Sequence, residues 1–236
     1  MNLAAALSEL GKKILVIDND PQGNTTTGFG IDKNQLTSCN YNVLVDNIPL
    51  KSVMLETNGV FLVPATMNLA GAEVEMVSFF SREYRLKKAL DPIVAEFDYI
   101  FIDCPPSLGL LTVNALAASE GVLIPIQCEY YALEGLTQLL QTIQIVQTNI
   151  NPKLEVEGVL LTMFDSRTNL AIQVENEVRK YFPNQVFETV IPRNVRISEA
   201  PSFGLSVLEY APDSKGASAY RALAQEVLHN EQTSSR

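Results

Sequence analysis

The sequence predicts an α/β protein in which a doubly wound, mostly parallel sheet is flanked by helices. Short apolar runs alternate with longer stretches of helical periodicity, the pattern of successive strand–helix–strand units. The apolar runs are continuous rather than alternating, as expected for strands buried on both faces of a parallel sheet. A length of 236 residues and a hydrophobic fraction of 47% suit a single domain over residues 1–236.

Six apolar runs predict the strands of this sheet, at residues 13–17, 59–64, 98–102, 121–126, 156–163 and 186–191. Helical spacing of apolar residues predicts helices at residues 69–80, 82–97, 108–119, 133–148, 170–181 and 216–228. Residues 2–10 predict the later part of a helix that ends at Gly11. Residues 31–58 are the least regular part and predict one short helix at 41–45.

The net charge of −10 argues against a surface that is positive throughout, as general nucleic-acid binding would need. Residues 1–150 hold 8 basic and 16 acidic residues, a net of −8, whereas residues 151–236 hold 9 and 11, a net of −2. Any contact with nucleic acid is therefore expected through a local patch in the C-terminal third.

Cysteine and histidine content argues against disulfides and against a metal site built on histidine. Cys39, Cys104 and Cys128 form an odd set without C-x-x-C spacing, and His229 is the single histidine. No signal-peptide pattern opens the chain, and no apolar run approaches the ~18 residues of a membrane span. We therefore expect a reduced, cytoplasmic protein.

Two acidic residues follow the first predicted strand within the motif Asp18-Asn19-Asp20-Pro21-Gln22-Gly23-Asn24. Strand ends of this kind face the ligand crevice of a doubly wound sheet. Carboxylates spaced by one residue there are able to hold Mg²⁺ through water and to orient an attacking water. Pro21 and Gly23 indicate the tight turn that points them inward. A plain polar turn with a capping aspartate is the alternative reading.

A second acidic motif lies where the predicted strand 99–103 meets Cys104-Pro105-Pro106-Ser107-Leu108-Gly109. An apolar strand that ends in an aspartate fits the second acidic motif of P-loop hydrolases, where the carboxylate lies near Mg²⁺. A cation beside Asp103 keeps it ionised because it offsets the cost of desolvation. The Pro-Pro-Ser-x-Gly loop would then lie near a γ-phosphate, although Ser107 fits a plain helix N-cap equally well.

Two further motifs follow these in order, Gln127-Cys128-Glu129-Tyr130-Tyr131-Ala132-Leu133-Glu134-Gly135 and Ile191-Pro192-Arg193-Asn194-Val195-Arg196-Ile197-Ser198-Glu199-Ala200-Pro201-Ser202. In order and spacing the four motifs resemble those of the ParA/Soj partitioning ATPases, from about Asn2 to about Leu228. The resemblance implies a P-loop NTPase-like fold, ATP and Mg²⁺ as cofactors, and ATP hydrolysis. It also implies an ATP-dependent homodimer that binds DNA nonspecifically, answers to a ParB-type partner and associates with the nucleoid.

The resemblance assigns roles to the two acidic motifs residue by residue. Asp20 matches the acid that positions the attacking water, and Asp18 lies in the outer shell of Mg²⁺. Asp103 matches the Mg²⁺-linked aspartate of the second acidic motif. Pro106 and Gly109 fall in the loop that senses the γ-phosphate.

The later motifs carry the remaining roles that the resemblance implies. Met163, Pro192 and Arg193 fall where the family packs against the adenine and forms hydrogen bonds with it. Glu129 falls where related dimers reach across to the partner's nucleotide.

Arg167 and Arg196 match positions that contribute to DNA binding in close relatives. A guanidinium group forks onto phosphate oxygens, and both residues follow strand ends in the least acidic third of the chain. Two phosphate contacts per subunit are weak, so dimerisation would be needed to make DNA binding useful. Ordinary surface arginines near Asp165 and Glu199 are the alternative reading.

The chain departs from the family in its phosphate-binding loop. The family's Lys-Gly-Gly-x-Gly-Lys-Thr is not found, and no G-x-x-x-x-G-K-[ST] occurs anywhere. Met1 aligns inside the helix after that loop, so we expect on the order of twenty residues to be missing, the central strand among them. Neighbouring strands would then lack partners, an apolar groove would open, and this polypeptide alone would neither bind ATP well nor fold robustly. A misplaced start is the first explanation, and a short variant that relies on a partner is the second.

Two other functions compete with the partitioning ATPase. A MinD-like ATPase of cell-division placement shares the acidic motifs, but it would end in a basic amphipathic helix for the membrane surface. Residues 225–236 are polar and not basic, so we expect no membrane binding. A non-catalytic binding variant is the other possibility if the chain works without the loop.

Overall fold

The structure, a computed structural model, describes residues 1–129 and 134–234. Its strands are β1 (Ile14–Asp18), β2 (Leu55–Thr57), β3 (Val60–Val63), β4 (Tyr99–Asp103), β5 (Gly121–Gln127) and β6 (Glu155–Thr162). Its helices are α1 (Asn2–Glu9), α2 (Asn24–Gly28), α3 (Asn40–Asp46), α4 (Leu69–Glu75), α5 (Arg85–Leu90), α6 (Leu110–Ala118), α7 (Glu134–Asn149), α8 (Asn169–Tyr181), α9 (Val195–Glu199), α10 (Val207–Tyr210) and α11 (Lys215–Ser234). Short 3₁₀ turns lie at Lys33–Gln35, Leu50–Ser52, Met76–Ser78, Arg82–Tyr84, Val94–Glu96 and Ala200–Phe203.

The strands form two sheets. The first has the order β2-β3-β1-β4, with β1 parallel to both β3 and β4 and with β2 antiparallel to β3. The second consists of the parallel pair β5 and β6. All five residues of β1 are buried, because this strand has a neighbour on each side and helices on both faces. The predicted mostly parallel arrangement is therefore confirmed.

No ladder of hydrogen bonds joins the two sheets within the part of the chain that the structure describes. There β4 pairs with β1 only, and β5 pairs with β6 only, so each has one edge without a ladder. The apolar residues of β4 are half-buried, in contrast to those of β1. Tyr99 of β4 and Leu123 of β5 nevertheless pack against one buried cluster, so the two sheets share apolar contacts.

The two faces of β1 contribute to two cores, because successive side chains of a strand point to opposite faces. Leu15 and Ile17 pack with residues of α3, α4, α5 and α6. Ile14 and Val16 pack with residues of α1, α10 and α11. Helices thus cover both faces of the first sheet, which confirms the doubly wound α/β class.

Residues 186–191 do not form the sixth predicted strand. They contact β6 through one isolated bridge, between Val186 and Val159, and through hydrogen bonds from Phe187 N to Val159 O (3.0 Å) and from Ile191 N to Leu161 O (2.9 Å). Between these points Glu226 of α11 accepts the backbone N–H groups of residues 188 and 189, at 2.6 and 2.9 Å. The Glu226 carboxylate therefore binds backbone N–H groups that would otherwise be available to a regular β-ladder.

The predicted helix at residues 82–97 is also wrong as one element. The structure divides it into a 3₁₀ turn, α5 and a second 3₁₀ turn. The break follows Leu90 because Pro92 has no N–H to continue the ladder of helical hydrogen bonds. The short helix expected at 41–45 is confirmed as α3.

In the described ranges, no helix combines the length and the apolar content that crossing a membrane requires.

We predict that Gly158→Ala destabilises the protein. A Cβ atom at this position of β6 would lie 2.5 Å from the ring of Phe187, which is itself buried. We expect the free energy of unfolding to fall by about 1–3 kcal/mol in chemical denaturation, because overpacking strains a dense core. Gly135→Ala in α7 is the matched control, since no heavy atom lies within 4 Å of its added Cβ. Equal effects of the two substitutions would contradict the packing that the structure shows.

Candidate functional site

The acidic motifs meet at the carboxyl ends of two adjacent parallel strands. In the register of β1 with β4, Asp18 is the direct partner of Asp103. The next backbone step continues the pairing, because Asn19 N donates to Asp103 O at 2.8 Å. The structure therefore brings together the two residues that the sequence predicted for Mg²⁺.

Asp18 is fully buried and strongly hydrogen-bonded. Its Oδ2 accepts from the backbone N–H of Thr26 at 2.7 Å and from the Thr26 hydroxyl at 2.6 Å. Burial raises the pKa of Asp18, the Thr26 hydrogen bonds oppose that rise, and the charge of Asp103 adds to it. A buried carboxylate with these partners is a site where a cation would be favoured.

Asp20 lies two residues after Asp18, in the turn that the motif predicted. Its Oδ1 accepts from Gln22 N at 2.8 Å, and its carbonyl accepts from Gly23 N at 2.9 Å. Gly23 has φ of +61°, and a Cβ there would lie 2.9 Å from the carbonyl oxygen of Ala65. Only glycine fits this point without strain, so the turn holds Asp20 half-exposed at the mouth of the acidic site.

Two hydroxyl groups of α2 belong to the site, and the sequence reasoning missed them. Thr25 Oγ1 donates to Asp103 Oδ2 at 2.7 Å, while Thr26 serves Asp18. The sequence could have indicated their role, because both threonines directly follow Gly23 and Asn24 of the first acidic motif. The α-amino group of Met1 also lies near this pair: burial lowers its pKa, and the charges of Asp103 and Asp18 oppose the lowering.

A pair of buried amides beneath the carboxylates was missed as well. Asn19 Nδ2 donates to the carbonyl of Leu111 at 2.9 Å, and Asn40 Nδ2 donates to Asn19 Oδ1 at 2.9 Å and to Asp18 O at 3.1 Å. Both amides are fully buried. They tie the first acidic motif to the starts of α3 and α6, which no local pattern of the sequence indicates.

The loop after Asp103 leads into α6. Pro106 is exposed, and Gly109 is the N-cap residue of α6. Ser107 is therefore not the N-cap. The helix begins two residues later than a Ser107 N-cap would require. The carbonyl of Ser107 instead accepts a hydrogen bond from the hydroxyl of Thr112 at 2.6 Å.

Glu73 of α4 closes the far side of this loop. The backbone N–H of Leu111 donates to Glu73 Oε1 at 3.3 Å, and a Cβ at Gly109 would overlap the Glu73 carboxylate.

Cys104 directly follows Asp103. Burial, with the charges of Asp103 and Asp20, raises the pKa of its thiol to about 12. This thiol is therefore protonated and unreactive at neutral pH.

The residues that the resemblance assigned to adenine come together at the end of β6. Met163 follows β6 with φ of +53°, in the left-handed region that a non-glycine residue rarely adopts. The next residue, Phe164, forms a parallel bridge with Pro192 and accepts from Arg193 N at 2.9 Å. Met163, Pro192 and Arg193 thus share one small region of backbone.

Glu129 reaches the same region by an ion pair with the guanidinium of Arg193. Both side chains are about half exposed, at 50% and 51%. The resemblance directed Glu129 toward a second subunit, whereas here it binds a residue of its own chain. Residues 130–133, including Tyr130 and Tyr131 of the same motif, lie outside the described residues.

Arg167 and Arg196 are exposed and each is paired with a nearby carboxylate. Arg167 holds Asp165 through two contacts, at 2.8 and 2.7 Å, and these lower the pKa of Asp165 to about 2. Arg196 Nη1 donates to Glu199 Oε2 at 2.8 Å. The pairing expected under the plain surface reading is present, and both guanidinium groups also remain open to solvent.

The donor set suits a divalent cation held largely through water. Asp18 and Asp103 lie side by side, yet each already accepts a threonine hydroxyl. Within residues 1–129 and 134–234, no group of three acidic, cysteine or histidine side chains has the geometry of a closed metal cage. Carboxylates that bind Mg²⁺ through its waters need no such cage.

Known proteins resemble this chain over nearly its whole length. A family model described as an AAA domain matches residues 1–156. The sporulation initiation inhibitor protein Soj of Bacillus subtilis is 55% identical over 98% of this chain and 92% of its own length. The chromosome partitioning protein ParA of Myxococcus xanthus is 54% identical over 97% of this chain and 81% of its own.

A solved structure supports the same relationship at the level of the fold. Cobyrinic acid a,c-diamide synthase from Mycobacterium smegmatis, crystallised with ADP and magnesium, superposes with a TM-score of 0.86 at 37% identity. The match covers 99% of this chain and 88% of that one. The arrangement of helices and strands is therefore that of P-loop nucleotide hydrolases.

We predict that Thr26→Val destabilises the protein by about 1–3 kcal/mol, the cost of leaving a buried polar group unpaired. The change keeps the volume of the side chain but removes the donor to Asp18 and the acceptor for Ala65 N, which lies at 2.9 Å. Thr27→Val is the control, because the exposed Thr27 hydroxyl bonds only the carbonyl of Gly23. We expect its effect on unfolding to stay within about 0.5 kcal/mol. Equal destabilisation by both changes in thermal or chemical unfolding would contradict the buried network.

Proposed function

Because this chain belongs to the ParA/Soj family of chromosome-partitioning ATPases, we propose that it acts as an ATP-driven switch that moves DNA. The observation that carries the proposal is the register of β1 and β4, which sets Asp18 against Asp103 beside the turn of Asp20. These are the acidic groups that phosphoryl transfer to water requires.

The acidic residues are proposed to have two different roles at the reacting end of the nucleotide. Mg²⁺–ATP, when bound, supplies the phosphoryl group and the charge that neutralises its oxygens. Asp18 and Asp103 would hold such a cation through its waters. Asp20, half-exposed and fixed by Gln22 N, would orient the attacking water and accept its proton.

The loop from Pro106 to Gly109 is proposed to follow the state of the nucleotide. It leaves β4 directly after Asp103 and enters α6, whose first turn is held by Glu73 and Asn19. A shift of this loop is therefore passed to α4 through Glu73. Support for this role comes from the contacts and from the family.

The base of the nucleotide is proposed to lie against Met163, Pro192 and Arg193. The strained φ of Met163 turns the chain sharply after β6, and the bridge between Phe164 and Pro192 keeps the region rigid. Arg193 is paired with Glu129, so nucleotide binding has to rearrange an exposed ion pair. Such pairs contribute little to stability and are easily exchanged.

The phosphates need a cradle of backbone N–H groups, and the sequence of this chain holds no G-x-x-x-x-G-K-[ST]. The experiment therefore compares the chain alone with a loop-bearing chain, in which a strand and the family's Lys-Gly-Gly-x-Gly-Lys-Thr loop are joined ahead of Met1. We expect fluorescent ATP with Mg²⁺ to bind tightly only to the loop-bearing chain. Equal binding by both would show that the phosphates are held in a different way.

We predict that Asp20→Ala in the loop-bearing chain lowers the rate of phosphate release by about 100-fold or more, since it removes the group that positions water. ATP binding should stay within a small factor, because Asp20 does not hold the base or the cation. Asp32→Ala is the control, as Asp32 is an exposed acid that caps the next short turn. A hydrolysis rate that survives Asp20→Ala would remove this residue from the mechanism.

Nonspecific DNA contact is proposed for Arg167 and Arg196, in the less acidic part of the chain. Each guanidinium now shares its charge with a carboxylate, so DNA phosphates must compete with Asp165 and Glu199. That competition makes a single subunit a weak binder, and an ATP-dependent dimer brings two such surfaces to the same DNA. The proposal also implies a cytoplasmic, nucleoid-associated protein with a ParB-type partner.

We predict that the double variant Arg167→Ala/Arg196→Ala weakens DNA binding and flattens its salt dependence. The slope of log affinity against log salt concentration should fall by roughly 1 for each phosphate that is no longer neutralised. Arg221→Ala is the control, because Arg221 is a partly exposed arginine that is likewise paired with a carboxylate, that of Glu9. Titration of the loop-bearing chain with ATP and random-sequence DNA gives the slopes. Parallel slopes for all three proteins would remove these arginines from the DNA surface.

A further inference from the structure

A cavity of about 410 Å³ lies between the carboxyl end of α3, the 3₁₀ turn that follows it and α5. Much of its lining is apolar, with Val43, Leu50 and Ile93 buried and with Ile48 and Ala89 half-buried. Its volume falls within the range of small-molecule sites in proteins, roughly 300–1,000 Å³. The cavity is therefore of a size that suits a small organic ligand.

The charged part of the lining is basic. Lys51, Arg85 and Lys88 all contribute to it, and none of the lining residues in the described part of the chain is acidic. The charge of the cavity is thus opposite to that of the protein, whose net charge is −10. An apolar cavity with a few polar groups of one charge is suited to a ligand that joins an apolar body to the opposite charge.

The three cations differ in how far they are already engaged. Arg85 donates to two backbone carbonyl groups at the carboxyl end of α3, at 2.8 and 3.2 Å. Lys51 forms an ion pair with Glu96. Lys88 is exposed, and its ammonium group has no ion pair or hydrogen bond within the described residues. Lys88 is therefore the group that we expect to bind an anionic head group.

An adjoining cavity of about 350 Å³ lacks this excess of positive charge. It shares Lys51 with the first cavity and is also lined by Lys13, but Glu56 and Glu96 line it as well. Two lysines there face two carboxylates, so the charges balance. Of the two cavities, the first is the one whose charge favours an anion.

The first cavity is separate from the acidic site, although α3 lies between them. Asn40 at the start of α3 donates to Asp18 O at 3.1 Å, whereas Asn47, the C-cap residue of the same helix, lines the cavity. A helix of seven residues is about 10 Å long. A ligand in the cavity would therefore leave the acidic site free.

We propose that this cavity binds a small organic anion, a carboxylate with an aliphatic body. The carboxylate accepts a charge-assisted hydrogen bond from Lys88, and the aliphatic body leaves water to pack on the apolar lining. The proposal goes beyond the proposed function and does not depend on nucleotide binding.

Octanoate is the probe, because it joins one carboxylate to a short aliphatic chain. We expect isothermal titration calorimetry to show saturable binding to the 236-residue chain and to the loop-bearing chain, with a Kd of about 1 mM or lower. Octan-1-ol and octylammonium have the same body and should bind more weakly, in that order, because they lack the negative charge. Amide shifts in ¹H–¹⁵N spectra should fall in residues 43–51 and 85–93, which contain the lining.

The substitution Lys88→Glu should weaken octanoate binding by about 10-fold, because it sets a carboxylate against the head group. Lys87→Glu is the matched control, since Lys87 is the neighbouring exposed residue of α5 and does not line the cavity. Both substitutions change the net charge by the same amount, so a difference between them reports the local contact. Circular dichroism checks that both variants are folded.

The proposal would be overturned by any of three results. These are octanoate that does not bind saturably to either chain up to about 10 mM, octylammonium that binds as tightly as octanoate, or equal losses of binding in Lys87→Glu and Lys88→Glu. Binding of fluorescent ATP with Mg²⁺ is measured on the same samples. Failure to bind ATP would count against the proposed function and would leave the octanoate result unchanged.

Discussion

The parallel pairing of β1 with β4 is the constraint on which the rest of the site depends. Its register sets Asp18 beside Asp103, and the bond from Asn19 N continues it into the turn. A slip of one residue would turn every side chain of β1 to the opposite face and would exchange the positions of Leu15 and Ile14 in their separate cores. Apolar packing on both faces of the sheet thereby determines where two carboxylates meet.

Burial of an acidic group is costly unless the surroundings supply hydrogen bonds. The buried Asp18 receives them from Thr26, and the exposed Asp103 receives one from Thr25, so two successive residues of α2 bind both carboxylates. The turn at Gly23 makes this possible because it starts the helix directly above the strand ends. These hydrogen bonds thus fix the positions of both carboxylates.

The start of α6 joins three parts of the molecule through one residue. The N–H of Leu111 is held by Glu73 and its carbonyl by Asn19, so α4, the first acidic motif and the loop after Asp103 meet at this one residue.

The sequence by itself determined the fold class, the order of most strands and helices, and the two acidic motifs, because apolar periodicity and motif spacing are properties of short segments. Other features depend on partners far apart in the chain. Thr25 and Asp103 are 78 residues apart, Arg193 and Glu129 are 64 apart, and Glu226 takes the backbone donors of a predicted strand that lies 37 and 38 residues away. Such pairs are decided by tertiary structure alone, because packing of the cores brings together groups whose local sequences carry no sign of each other.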